Sequence, residues 1–308
     1  MDEKRSKGEQ PMPEKPIFAL MYDFDKTLSP RDMQEYAFIP DIKMTPEDFW
    51  AECNRVMRDN RMDQILACMY VMQKKTKGKM LFTRDTLREL GKNVVLFDGV
   101  KTWFRRVNAY ADKHGMKAEH YIISSGLKEI IEGTEIAGEF EQIYAAEYCY
   151  DDDGVPCWPS MAVNYTSKTQ FLYRINKGIF DVTENDGLNE FMPEEKRRVP
   201  FRNMVYIGDG MTDVPCMKLV RANGGHSIAV YQNDRAAVNE LLLGGRVDFA
   251  MRADYSKDSA LESTVFAIID QAEAVNHTTT LHARCMEQAR GEQEARKLME
   301  WRNSIERE

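Results

Sequence analysis

The chain has 308 residues, is 43% hydrophobic and 30% charged, and carries a formal net charge of −8. That length buries a sizeable core as one domain with an insert or as two domains. The mild acidity argues against broad nucleic-acid binding, which draws on a basic face, and no apolar run approaches a bilayer span. Residues 1–16 are polar, hold three prolines and lack the apolar centre of a secretory signal, so they are expected to be disordered. Six cysteines without CxxC spacing read as reduced, mostly buried thiols of a cytoplasmic protein, not as a metal site. The 19 methionines read as pliable core filler.

The first element is an apolar run from Ile17 that ends in Tyr22-Asp23-Phe24-Asp25-Lys26-Thr27. A continuous run of this length fits a strand buried on both faces of a parallel sheet. From Arg31 the pattern turns helical. Thr45-Pro46-Glu47-Asp48 has the form of a helix start, and apolar residues at helical spacing follow over 49–57, 62–74 and 83–90. Residues 31–92 thus read as a mostly helical insert. Residues 94–100 lead back to an amphipathic helix over 100–113 that stops at His114-Gly115. A second strand is expected over 119–125, a helix from Leu127, and a third strand within 140–148. Asp151-Asp152-Asp153-Gly154 lacks the spacing and closing Glu of an EF-hand and reads as a solvated hairpin tip. A helix opens at Thr166 and holds Lys168. Residues 181–198 are a polar excursion, strands follow at 203–208, 226–230 and 247–250, and residues 259–275 are helical before a charged, helical tail. Alternating strands and helices give a parallel sheet covered on both faces.

Ligands of open α/β sheets sit past the carboxyl ends of the strands. Three such ends carry polar chemistry here: Asp23 with Asp25, Ser125, and Asp209 with Asp213. Two aspartates two residues apart share a face if the strand continues. Their repulsion calls for a cation or a shared proton, whereas a solvated turn would use the same residue types. Each element alone is ordinary: Ser-Gly is a turn, Gly208-Asp209-Gly210 a tight turn, Lys168 a surface lysine.

In this order, the set resembles the phosphatases of the haloacid dehalogenase superfamily. Asp23-Phe24-Asp25-Lys26-Thr27 matches that family's DxDxT motif, and Ser125 at the end of Tyr121-Ile122-Ile123-Ser124-Ser125 matches the second. Lys168 matches the third, and Gly208-Asp209-Gly210-Met211-Thr212-Asp213 the GDGxTD motif. Gly126 after Ser125 favours Ser125 over Ser124, and Lys177 is the nearest competitor of Lys168. The resemblance implies a Rossmann-like core (17–30 and 93–275), a small α-helical cap (31–92) and a tail (276–308) outside the family pattern. It implies Mg²⁺ held by Asp23, the Asp25 carbonyl and Asp209, with Asp213 in support. Asp23 would be the nucleophile and Asp25 the acid–base, with Ser125, Gly126 and Lys168 binding the phosphoryl group. The expected substrate is a small phosphorylated metabolite. An acid at Asp25 sets the chain apart from the dehalogenases. A phosphomutase, a nucleotidase or a non-catalytic scaffold on the same core are the alternatives. The cap's position is similar to that of the phosphoserine phosphatase group, but Arg55, Arg58 and Arg61 do not align securely with that group's substrate-binding arginine.

Overall fold

A computed structural model describes residues 15–305. Residues 1–14, most of the segment expected to be disordered, lie outside the described residues, as do 306–308 at the end of the tail. Pro16 is already paired, its carbonyl accepting from Lys117 N at 2.9 Å.

β1 (Ile17–Tyr22) is buried along its whole length. Phe18, Leu20 and Tyr22 enter one hydrophobic layer, and Ile17, Ala19 and Met21 enter the other. A strand with two dry faces has no polar alternation, which accounts for the unbroken apolar run. The chain then builds α1 (Phe38–Asp41), α2 (Pro46–Asn60), α3 (Gln64–Thr76) and α4 (Arg84–Gly91). Side chains cap the three longer ones: Thr45 Oγ1 accepts from Asp48 N, Asp63 Oδ1 from Ile65 N and Leu66 N, and Thr83 forms a capping box with Thr86.

α5 (Val100–Lys113) returns to β2 (Lys117–Leu127), and α6 (Lys128–Glu132) leads to β3 (Gln142–Tyr150) and β4 (Pro156–Met161). Then come α7 (Thr169–Lys177), α8 (Asp186–Asn189), β5 (Met204–Gly208), α9 (Val214–Ala222), β6 (His226–Tyr231), α10 (Ala236–Leu243), β7 (Phe249–Arg252) and α11 (Ala260–Ile305). The sheet order is β4-β3-β2-β1-β5-β6-β7. Every neighbouring pair is parallel except β3 with β4. The fold is an α/β, Rossmann-like sheet with helices on both faces and a small helical cap. The order runs outward on one side of β1, then restarts on the other at β5. The topological switch, where such sheets hold ligands, therefore lies at the end of β1.

Several details differ from the sequence reading. Residues 31–35 do not start an α-helix; they hold one 3₁₀ turn, Met33–Glu35, tied back to Asp25 by Met33 N. Lys168 closes a 3₁₀ turn, Tyr165–Lys168, just before α7. The expected hairpin tip at Asp151 is one, and it leads into β4, a strand broken by Pro156 and Pro159 that the pattern concealed. α9 and α10 were not anticipated. α9 follows the motif aspartate directly and carries Pro215 in its first turn, where a missing N–H costs nothing. α11 runs without a break at residue 276; its first part packs through Leu261, Val265, Ile268 and Ile269, and residues 277–302 are exposed. The six cysteines are unpaired, but only Cys53, Cys68 and Cys216 are buried. Cys149 and Cys157 lie on the edge hairpin and Cys285 on the exposed stretch of α11, where no layer covers them.

Candidate active site

Asp23 continues β1 by one residue, its N–H donating to Ile207 O of β5 at 2.9 Å. Its Oδ1 accepts from Phe24 N at 2.8 Å. The chain then turns sharply: Phe24 O accepts from Leu28 N at 2.8 Å, and Lys26 adopts the left-handed φ of 57°. This turn brings Asp25 into the cleft beside Asp23. Asp25 Oδ1 accepts from Met33 N at 2.8 Å, and Lys26 Nζ lies 2.7 Å from Asp32 Oδ2.

Lys168 is wholly buried, its Nζ 2.7 Å from Asp213 Oδ1 and 3.1 Å from Asp23 Oδ2. Tyr206 OH donates to the same Asp213 oxygen at 2.8 Å. Asp213 can approach so closely because residue 208 is glycine: a Cβ there would lie 2.5 Å from Asp213 Oδ2. Carboxylate oxygens of Asp23, Asp209 and Asp213 all lie within 4.8 Å of one another. Lys168 pairs with two of these three clustered acids, Asp23 and Asp213. Burial and the Asp213 charge outweigh Lys168 at Asp23, whose pKa rises to about 6. Burial, Asp23 and Asp213 push Asp209 up to about 8. Burial, then Asp32 and Asp23, raise Asp25 well above the carboxylate range. Burial disfavours the Lys168 ammonium, but Asp213 and Asp23 more than reverse this and hold it charged.

The two serines at the end of β2 are distinguished by their partners. Ser124 Oγ accepts from Gly126 N at 3.0 Å, whereas Ser125 Oγ is buried with no partner. Gly126 lies so near that a Cβ on it would come within 3.1 Å of Asp25 Oδ2. Lys177, by contrast, is spent on the carbonyls of Leu188 and Glu190, away from the cleft.

The haloacid dehalogenase-like hydrolase family model matches residues 20–218, nearly two thirds of the chain. The chain belongs to that family. This haloacid dehalogenase-like hydrolase is also 27% identical over 273 residues to an uncharacterized protein of Borreliella burgdorferi, covering 80% of this chain and 94% of that one. Its fold is similar to a HAD family hydrolase of Salmonella enterica serovar Typhi: TM-score 0.53, 14% identity, 83% of this chain and 72% of that one. It is likewise similar to a probable phosphoserine phosphatase of Vibrio cholerae: TM-score 0.52, 14% identity, 86% of this chain and 67% of that one. No helix among its described residues is long and apolar enough to cross a membrane.

The hydrolase's Asp23, Asp25 and Asp209 open onto a cleft of about 460 Å³, floored by the ends of β1, β2 and β5 and roofed by α2 and α3. Sequence reasoning missed the residues that complete it. Asp32 holds Lys26 and raises Asp25; Gln34, Asn54, Gln64 and Asn164 line the wall. Only the proximity of Asp32 and Gln34 to the first motif hinted at them. The arginines weighed in the sequence, Arg55, Arg58 and Arg61, are exposed and absent from the lining.

Proposed function

We propose that this hydrolase is a Mg²⁺-dependent phosphomonoesterase acting on a small phosphorylated metabolite through an aspartyl-phosphate. The observation that carries the reading is the meeting of Asp23, Asp209, Lys168 and the unpartnered Ser125 Oγ at the switch of the sheet. The donor set fits the metal. Asp23 and Asp209 offer hard oxygens, and their raised pKa values mark negative charge that Lys168 alone does not balance. Asp213 is committed to Lys168 and Tyr206 and supports from behind. Bound to Asp23, the Asp25 carbonyl and Asp209, Mg²⁺ would supply positive charge against the phosphoryl oxygens.

The chain's own residues carry the steps. Asp23 attacks phosphorus, forming an O–P bond as the bond to the leaving oxygen breaks. Asp25, kept protonated by burial and by neighbouring carboxylates, gives its proton to that oxygen. It then takes a proton from the water that cleaves the acyl phosphate and frees Asp23. Ser125 donates to a phosphoryl oxygen, and Lys168 steadies the charge of the nucleophile and the transferring group. The cap limits water and substrate size.

The test is phosphate release from a panel of metabolite esters with and without Mg²⁺, together with Asp23→Asn. Mg²⁺-dependent release that falls by at least about 10³-fold in the variant is expected, since loss of a covalent nucleophile removes the route altogether. Near-wild-type turnover in Asp23→Asn, or isomerised sugar phosphate without free phosphate, would overturn the reading.

A further inference from the structure

The wall of the cleft says which leaving group it accepts; the argument rests on the phosphomonoesterase reading above. The apolar part contributed by the cap includes Trp50, Ile65, Met69 and Met72. The polar part contributed by the cap and its approach is Asp32 and three amides, Gln34, Asn54 and Gln64. No arginine or histidine lines the cleft among the described residues. Its single lysine, Lys26, is held by Asp32 at 2.7 Å. Arg55, the exposed arginine on α2 nearest in sequence to Asn54, pairs outward with Asp59 at 3.3 Å. Of the four lining carboxylates, Asp23 and Asp209 are assigned to the metal, Asp25 to the proton transfer, and Asp32 is paired with Lys26. An anionic group on the leaving alcohol would enter this space with no free cation to meet it, and like charges placed together in a desolvated site are strongly unfavourable.

A second observation points to what the site wants instead. Gln34 is 4% exposed, lines the cleft, and its Oε1 has no hydrogen-bond partner. A buried carbonyl oxygen left without a donor is costly, and a ligand N–H or O–H would relieve it. We infer that the substrate is the phosphate ester of a small alcohol with no anionic group, offering an N–H or O–H to Gln34 against the Trp50–Met69–Met72 wall. An amino alcohol meets both demands: it carries no anion, and its N–H groups can donate to Gln34 Oε1. Gln34 is then a specificity-determining residue.

Three matched esters test this with Mg²⁺ present. O-phosphoethanolamine and O-phospho-L-serine differ only by a carboxylate; n-propyl phosphate replaces the ammonium by a methyl group of similar size. Phosphoethanolamine should exceed each of the others in kcat/KM by about tenfold or more, because an unmet charge or an unpaired buried acceptor penalises the wrong ligand strongly. Gln34→Leu should shrink its advantage over n-propyl phosphate to about threefold or less. Phosphoserine turned over as well as phosphoethanolamine, or a ratio unmoved by Gln34→Leu, would overturn the inference. If none of the three is hydrolysed, the wider panel of esters decides the phosphatase reading separately. Calorimetric Kd values for the same esters with the wild-type protein and Mg²⁺ then decide the inference: the same order sustains it, and equal or reversed affinities end it.

Discussion

Lys168 Nζ sits 2.7 Å from Asp213 Oδ1, and neither side chain reaches solvent. A buried ion pair of this kind gains little over a well-packed apolar pair, but removing one partner strands the other charge. Asp23 shares the same ammonium at 3.1 Å, so the loss would strand two.

Lys168→Met should therefore lower stability by about 3–5 kcal/mol without metal. Adding Asp213→Asn should recover part of that loss. Urea unfolding of the two single variants and the double variant forms the cycle, and a coupling of about 1–3 kcal/mol is expected for groups in direct contact. Additive losses would show that the lysine is not what keeps Asp213 tolerable in the interior.

The second prediction concerns α4 and α6, whose backbones touch at two glycines. A Cβ on Gly133 would lie 1.8 Å from Arg88 O, and one on Gly91 would lie 2.2 Å from Ile130 O. Neither glycine has positive φ, so the demand is for space and not for conformational freedom. Gly91→Ala and Gly133→Ala should each destabilise by at least about 2 kcal/mol, because backbone atoms cannot step aside as a flexible side chain can. Gly291, exposed in α11 with nothing near its Cβ position, is the control. There, alanine should be neutral or gain up to about 1 kcal/mol. Thermal unfolding of the three variants settles the order; a harmless Gly133→Ala would mean that the helices are not in contact.

A third prediction follows from His120. Trp103 Nε1 donates to Tyr22 OH at 2.9 Å, Tyr22 OH donates to His120 Nδ1 at 3.0 Å, and Nε2–H then meets Asn108 Oδ1 at 2.8 Å. This chain uses the neutral ring, and burial lowers its pKa from 6.5 to about 3. Below 6.5 the unfolded chain takes up a proton that the folded ring refuses, so stability is full above that pH and is lost as pH falls toward 3. Between pH 6.5 and 5 this amounts to about 2 kcal/mol. The raised carboxylates of the cleft act in the opposite direction over this range. The comparison of wild type with His120→Gln isolates the imidazole. The variant should lose less stability on acidification in urea titrations; parallel curves would refute the assignment.

Asp23, Asp25, Ser125, Asp209 and Asp213 stood out before any coordinates as polar stops at strand ends, but it was the match of the whole set to the family's motifs that singled them out, together with Gly126 and Lys168. Strand ends are legible since a doubly covered strand is an uninterrupted apolar run with a polar stop, as at Tyr22-Asp23 and Gly208-Asp209. The structure brings these residues together. Gln34 was not legible. It lies on a 3₁₀ turn whose spacing resembled a helix start, and its role depends on where Asp25 Oδ1 ties Met33 N. Nor was the charge state of the wall: the arginines of α2 are spaced by helical geometry, and only the packing of Phe49, Cys53 and Val56 inward turns them to solvent. α9 escaped notice although Cys216, Met217 and Val220 fall at helical spacing, because nine residues hold barely two repeats of that period.

The edge strand β4 has a consequence for life in a crowded solution. An exposed strand at the rim of a sheet invites a second chain to lengthen it, and Trp158 there is 73% exposed, an adhesive residue in such a place. Two of the six residues of β4 are prolines without an N–H, and the register with β3 slips twice along its length. An incoming strand would find gaps where it needs donors. The rim of the sheet thus carries, in Pro156, Pro159 and the slipped register, its own obstacles to a second strand.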